Sequence, residues 1–203
     1  CAYMGFLAIH LLDSVQEVFF NDKKDLIPKI EETEAKIDQL HKAVKAYAED
    51  IMQAGISDDA ARMLTLYVAS SGNIERIGDY GKKLLEYYAY RQNRPKDFSQ
   101  QAMTELSGMY AEAHHAIVTA LDGFINDDPD KAREVAPIAG KLRGLEVELR
   151  NRHIQRLDKQ ECDSETGLVY VDILGIIEHI GYHSNNVAKA TISSCTAEHK
   201  AKA

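Results

Sequence analysis

The feature that most constrains this 203-residue chain is a phrase written twice. Tyr67-Val68, Gly72, Ile74-Glu75 and Ile77-Gly78 recur as Tyr170-Val171, Gly175, Ile177-Glu178 and Ile180-Gly181, each 103 positions later. That makes seven identities over twelve residues, and shared helical periodicity would not repeat glycine and glutamate in register. The chain is an internal duplication. Two copies form a pseudo-symmetric pair rather than a solenoid.

Each copy reads as three helices. Met4, Leu7, Leu11, Val15 and Val18 follow at intervals of three or four, as one helical face requires. Asn21–Asp25 breaks this run, and Pro28 sits near the start of the next. Ile30, Ile37, Leu40, Val44, Tyr47 and Ile51 mark a second helix ending near Gly55. Ser57 with Asp58 and Asp59 is an N-cap followed by acids at the positive helix end. Met63, Tyr67, Ser70, Ile74, Ile77, Gly81 and Leu84 line the third. After a polar stretch, Arg91 to Asp97 with Pro95 inside it, the plan repeats. Leu106, Tyr110, Ala113, Ile117, Ala120 and Phe124 give a fourth helix, and Asp127-Asp128-Pro129 caps a fifth through Val135, Ile138, Leu142, Leu145 and Leu149. A sixth starts near Asp163 or Ser164 and passes Leu168, Val171, Leu174 and Ile177. Only 12 glycines and 4 prolines interrupt the chain, which suits long helices. The expected fold is all-α, two tandem pseudo-symmetric three-helix bundles over residues 1–92 and 98–203.

Charge and cysteine content narrow the function. A net charge of −8 argues against nucleic acid, which calls for a basic stripe. Cys1, Cys162 and Cys195 make no disulfide framework and no zinc spacing, so thiols in a reducing compartment are expected. The most apolar stretch, Ala2 to Leu12, is interrupted by His10 and too short to span a bilayer, and it lacks the flanks of a signal peptide. Because the first residue is Cys rather than Met, the chain reads as a fragment or processed product.

Ile74-Glu75-Arg76-Ile77-Gly78-Asp79 resembles the ERIGD segment of PhoU proteins, whose fold is two tandem three-helix bundles. The likeness covers nearly the whole chain. Arg152-His153-Ile154-Gln155-Arg156-Leu157, Cys162, Gly167-Leu168 and Ile177-Glu178-His179-Ile180-Gly181 look like the PhoU-like domain of bacterial sodium/phosphate cotransporters. The resemblance implies a non-catalytic cytoplasmic regulatory domain in phosphate transport, at the inner face of the membrane. Its implied partner is a covalent upstream transporter domain. The alternative is a stand-alone negative regulator of a phosphate ABC transporter and its sensor kinase. A homodimer is a further implied assembly.

PhoU proteins bind metal through ExxxD pairs on neighbouring helices. The matching residues are Glu34 and Asp38 on the second helix, Glu75 and Asp79 on the third. Spacing of i,i+4 puts each pair on one helix face. Four facing carboxylates repel one another, so they should recruit a cation or hold a proton. Oxygen ligation suits Mg, Ca, Mn or Fe as a divalent or trivalent ion, and no organic cofactor is expected. The same pattern in a chain this acidic also fits a solvated helix face. The second copy departs from the family: Tyr182 stands where the Asp is expected, Arg143 occupies the matching position on the fifth helix, and only Glu178 survives. His183 fits the family's usual His, and His179 replaces an Arg. Glu178 and His183 are therefore secondary metal candidates, and a core or surface role for the histidines is the plainer account. His153 and Arg156 could serve a partner or cap a bundle end. Gly78 and Gly181, costing about 1 kcal/mol each inside a helix, suggest close helix crossings.

A different class, a di-iron bundle oxidase, needs paired Glu-x-x-His motifs on two helices. The chain offers one, Glu112 to His115, without a second.

Overall fold

A computed structural model describes residues 1–93, 98–160, 162 and 164–201. Six long helices and one short one account for the described secondary structure, apart from a single 3-10 turn at Lys24–Leu26. They are α1 (Ala2–Asn21), α2 (Ile27–Gln53), α3 (Asp58–Gln92), α4 (Gln100–Ile125), α5 (Pro129–Arg133), α6 (Val135–Asp158) and α7 (Ser164–Ala201). Among the described residues there is no strand. Among the described residues no helix is long and apolar enough to cross a membrane.

The helix ends follow local chemistry. Asp22 turns left-handed (φ 58°) to stop α1, and Pro28 lies in the first turn of α2. Ser57 Oγ accepts from the Ala60 N–H and Ser99 Oγ from the Ala102 N–H, so two long helices start on serine caps. Each such cap contributes about 1 kcal/mol. Asp128 caps α5 by accepting from the N–H groups of Asp130 and Lys131. The expected fifth helix is thus two pieces: the capped turn closes as α5, and the chain restarts at Val135. The expected linker residues Arg94–Asp97 and the candidate start Asp163 lie outside the described residues.

The duplication becomes geometry at the centre. Within the first half α1, α2 and α3 pack together, and within the second α4, α6 and α7 do, with α5 against all three. Between halves, α1 meets α4 and α3 meets α7, so each central helix packs on its own repeat counterpart. Contacts along α3 and α7 run in opposite directions. Asn73 bonds His183 (2.9 Å), Tyr80 stacks on His179 (ring centroids 5.4 Å), Tyr87 bonds Asp172 (3.1 Å) and Tyr90 bonds Glu165 (3.2 Å). The pseudo-two-fold therefore falls near Ile77 and Ile180, inside the repeated phrase. Ile74, Ile77, Ile177 and Ile180 are all fully buried there. Burial of each contributes about 1.5–3 kcal/mol. On α1 and α4, Tyr110 donates to the Leu12 carbonyl (2.6 Å) and His114 meets Asp13 (2.8 Å). Helices α2 and α6 stay on the outside, in contact only with their own half among the described residues.

Three side chains assigned to buried faces lie outside them; one is Tyr67, 40% exposed with its ring edge-on to Phe124 at 6.0 Å. Tyr47 is 68% exposed, because the seam of α2 continues from Val44 to Ala48, one full turn on. Leu168 is 69% exposed, because the buried face of α7 begins with Val169, Tyr170 and Ile173. The two seam glycines also differ. A methyl on Gly181 would collide with the Leu142 side chain, whereas one on Gly78 would meet Ile37 no closer than 3.4 Å. Close approach explains Gly181 and not Gly78.

The tightest backbone approach is elsewhere, at Gly123. A Cβ there would sit 2.9 Å from the Ala132 nitrogen and 3.1 Å from the Asp128 carbonyl oxygen. Neither atom can rotate away as a side chain could. Gly123→Ala should therefore destabilise by about 1–3 kcal/mol through overpacking, despite the better helix propensity of alanine. Gly78→Ala, with room for its methyl, should be neutral or stabilising. Urea denaturation of both variants checks the contrast.

Candidate functional site

The first-half carboxylates come from α2 and α3, which pack side by side. Glu75 and Asp79 flank the seam at Gly78, and Glu34 and Asp38 flank Ile37, whose side chain fills the space over Gly78. The four acids feel one another. Burial first, then the Asp79 charge, raises the Glu75 pKa, with a smaller contribution from Asp38. Asp79 is also raised, by burial first; Glu34 and Asp38 add to the shift while Arg76 opposes it. Both groups thus hold protons more readily than solvent-exposed carboxyls do.

Each acid also has a basic partner. Lys82 Nζ donates to Glu34 (2.9 Å) and Lys42 Nζ to Asp38 (2.6 Å). Arg76 lies 3.4 Å from Asp79 and 3.8 Å from Glu75. Among the described residues no three His, Cys, Asp or Glu side chains stand close enough to share one cation. The sequence therefore places the four carboxylates on facing helices but does not gather them. Donor chemistry, a half-buried all-oxygen set, fits a hard cation; the present lysine and arginine pairing is what a cation would have to displace.

The second half shows the substitution directly. Glu178, the repeat counterpart of Glu75, lies 3.8 Å from Arg143 and 3.6 Å from His179. An exposed guanidinium supplies the countercharge there. His183 is engaged by the other half. Its Nδ1 bonds the Asn73 side chain of α3, and Asn73 also accepts from Asn186 (3.2 Å). His183 thus joins the two halves. Sequence reasoning gave no sign of Asn73, whose partner is 110 residues away.

His153 and Arg156 close the end of the second bundle. Arg156 donates twice to Glu105 of α4 (3.1 and 3.0 Å), and the Tyr170 hydroxyl donates to the same carboxylate (2.7 Å). His153 is buried against the Tyr170 ring (5.0 Å), and burial lowers its pKa, so it stays neutral at pH 7. Glu105, the hub of this cluster, went unrecognised in the sequence because it belongs to no motif. The isolated Glu112–His115 pair finds no metal company: Glu112 is taken by Lys141 (2.5 Å), and the described residues hold no ligand cluster.

Paired three-helix bundles joined through their own repeat counterparts define a tandem-bundle class of protein. The PhoU domain family matches the chain twice, over residues 2–88 and 106–191, and the chain belongs to that family. It is similar to the phosphate-specific transport system accessory protein PhoU homolog 1 of Thermotoga maritima, 24% identical over 191 residues. The match spans 93% of this chain and 81% of that protein. The crystal structure of PhoU from Pseudomonas aeruginosa superposes with a TM-score of 0.86 at 19% identity, covering 95% of this chain and 91% of that one. The phosphate transport system regulatory protein PhoU from Streptococcus pneumoniae gives 0.80 at 15% identity, covering 95% and 90%. These likenesses establish the shared fold.

Proposed function

We propose that the chain is a non-catalytic, cytoplasmic PhoU-type regulator of phosphate transport, acting as an accessory protein to a separate phosphate transporter and its sensor kinase. The supporting observation is the extent of the match: both halves align with a protein named as an accessory of a phosphate-specific transport system. This favours the accessory reading over the cotransporter-fused one suggested by the segment Arg152–Leu157, of which His153 and Arg156 pack at the bundle end. Helix faces, rather than a reaction centre, would do the work. Co-expression with the phosphate ABC transporter subunits and the sensor kinase of the same organism tests it. Co-purification with either is expected; co-purification with neither, or a reading frame that continues upstream into transmembrane segments, would overturn the accessory assignment.

Within this role, Glu34, Asp38, Glu75 and Asp79 would hold a divalent or trivalent cation through carboxylate oxygens, and the ion would supply structural cross-linking of α2 to α3. Glu75 and Asp79 resist ionisation, so a cation that relieves their mutual repulsion gains from it. Glu75→Gln with Asp79→Asn should abolish specific uptake of manganese or iron, as measured by metal content after dialysis. Glu178→Gln should leave it unchanged, since Arg143 already neutralises that position. Equal uptake after the double replacement would remove the site.

A further inference from the structure

The basic residues of the α6 end have a second face. Arg152, Gln155 and Arg156 of α6, Lys159 just beyond it and Gln101 from the first turn of α4 line an open cavity of about 240 Å³. We propose that this cavity binds a phosphoryl oxyanion, either free inorganic phosphate or the phosphate of a small phosphomonoester.

The lining contains three cations and two amides and no carboxylate, within a chain of net charge −8. Basic residues at a helix C-terminus are favoured by the helix dipole, which accounts for Arg156 and Lys159 singly. It does not account for their convergence with Gln101, which arrives from another helix. Arg156 is also held in place. Its side chain is 13% exposed, clamped by Glu105 on one edge and lying 5.5 Å from the Tyr170 ring centroid. A guanidinium fixed in this way forms a rigid cationic wall to the cavity, its terminal nitrogens committed to Glu105, and leaves the phosphate contacts to Arg152 and Lys159.

Among the described residues, two carboxylates, Glu105 and Glu148, form ion pairs with these cations. Glu105 lies behind Arg156, 8% exposed and already accepting from Arg156, Tyr170 and Gln101. Arg152 is drawn to Glu148 (2.5 Å) and stands 3.8 Å from Glu105. Three cations against these two carboxylates leave a positive surplus at the mouth, where Lys159 and Gln155 are exposed. A phosphate dianion would complete the set, taking charge-assisted bonds from Arg152 and Lys159 and neutral ones from the amides.

The inference goes beyond the regulatory assignment and does not depend on it, since direct binding succeeds or fails whatever the chain regulates. Isothermal titration of the purified chain with inorganic phosphate and, separately, with glycerol phosphate should give saturable binding to one site. The tighter of the two identifies the source of the phosphoryl group. Lys159→Glu and Arg152→Gln are exposed changes that keep Glu105 paired with Arg156. Each should weaken binding about tenfold, the loss of one charge-assisted contact, with an unchanged circular dichroism spectrum. No saturable binding of either probe up to millimolar concentration would overturn the proposal. So would undiminished binding in the Lys159→Glu, Arg152→Gln double variant.

Discussion

Glu105→Ala is expected to lower stability by about 3–5 kcal/mol, more than other single replacements at ion pairs of the protein. The carboxylate is 8% exposed and accepts four hydrogen bonds from Arg156, Tyr170 and Gln101. Burial by itself would raise its pKa. The hydrogen bonds from Arg156 and Tyr170 more than reverse that, leaving the group below the usual carboxylate range and ionised at neutral pH. Removing it strands the Arg156 charge and the buried Tyr170 hydroxyl together. That stranding, rather than the loss of an attraction, is the source of the large effect. Glu105→Gln keeps an acceptor for Tyr170 but not the charge, so it should fall between wild type and Glu105→Ala. Thermal unfolding of the three proteins measures both steps. At about 2–4 °C per kcal/mol for a chain of this size, the alanine variant should melt roughly 10 °C lower. A loss below about 1 kcal/mol would mean the bundle end is stabilised by packing alone.

The repeat carried most of the fold. Seven identities at one fixed spacing required a pseudo-two-fold, and the axis lies at Ile77 and Ile180 within the repeated phrase. Helix starts were legible wherever a short polar side chain can cap, as at Ser57 and Asp128. What periodicity could not resolve was which of two adjacent residues continues a seam after several turns. Tyr47 and Ala48 are both compatible with the spacing, and only packing against the neighbouring helices selects Ala48. The break between α5 and α6 was likewise hidden, because Pro129 and Val135 both fit one continuous pattern.

The candidate site was legible in its membership but not in its state. Spacing put each of the pairs Glu34–Asp38 and Glu75–Asp79 on one helix face, and the resemblance put those helices side by side; neither carried information on Lys42, Arg76 and Lys82, which pair with these acids. Such partners come from i+3 and i+4 neighbours or from 48 residues away, and a chain so rich in charge offers many equivalent choices. Arg143 was the informative exception. Its place at the family's acidic position on the fifth helix followed from the resemblance, and its side chain lies 3.8 Å from Glu178. Asn73, Glu105 and the cavity at Lys159 depend on contacts between elements remote in sequence, for which no local pattern exists.

Acidification should loosen the joint between the two halves at His183. Its pKa is lowered to about 4, by burial first, then by the neighbouring His179 and Arg76. In the unfolded chain the imidazole titrates at its ordinary value of 6.5. Above that pH neither state is protonated, and the full contribution of the neutral histidine to stability is present. Between 6.5 and 4 the unfolded chain takes up a proton that the folded chain refuses, so stability declines as pH falls. Below about 4 both states are protonated and the loss is complete. A shift of this size corresponds to about 3 kcal/mol at most, and partial solvent access reduces it to about 1–2 kcal/mol. Glu75 and Asp79 act in the opposite direction, because a raised carboxyl pKa makes the folded state the better proton acceptor as pH falls. The total pH profile is therefore a mixture, and the informative quantity is a difference between variants. His183→Gln can keep a hydrogen bond to Asn73 while removing the titrating ring. Urea unfolding at pH 7.5, 5.5 and 4.5 should show the wild type losing about 1–2 kcal/mol relative to this variant across the range. Parallel profiles would mean that His183 is protonated as easily in the folded protein as in the unfolded chain, and the α3–α7 joint would then be indifferent to pH.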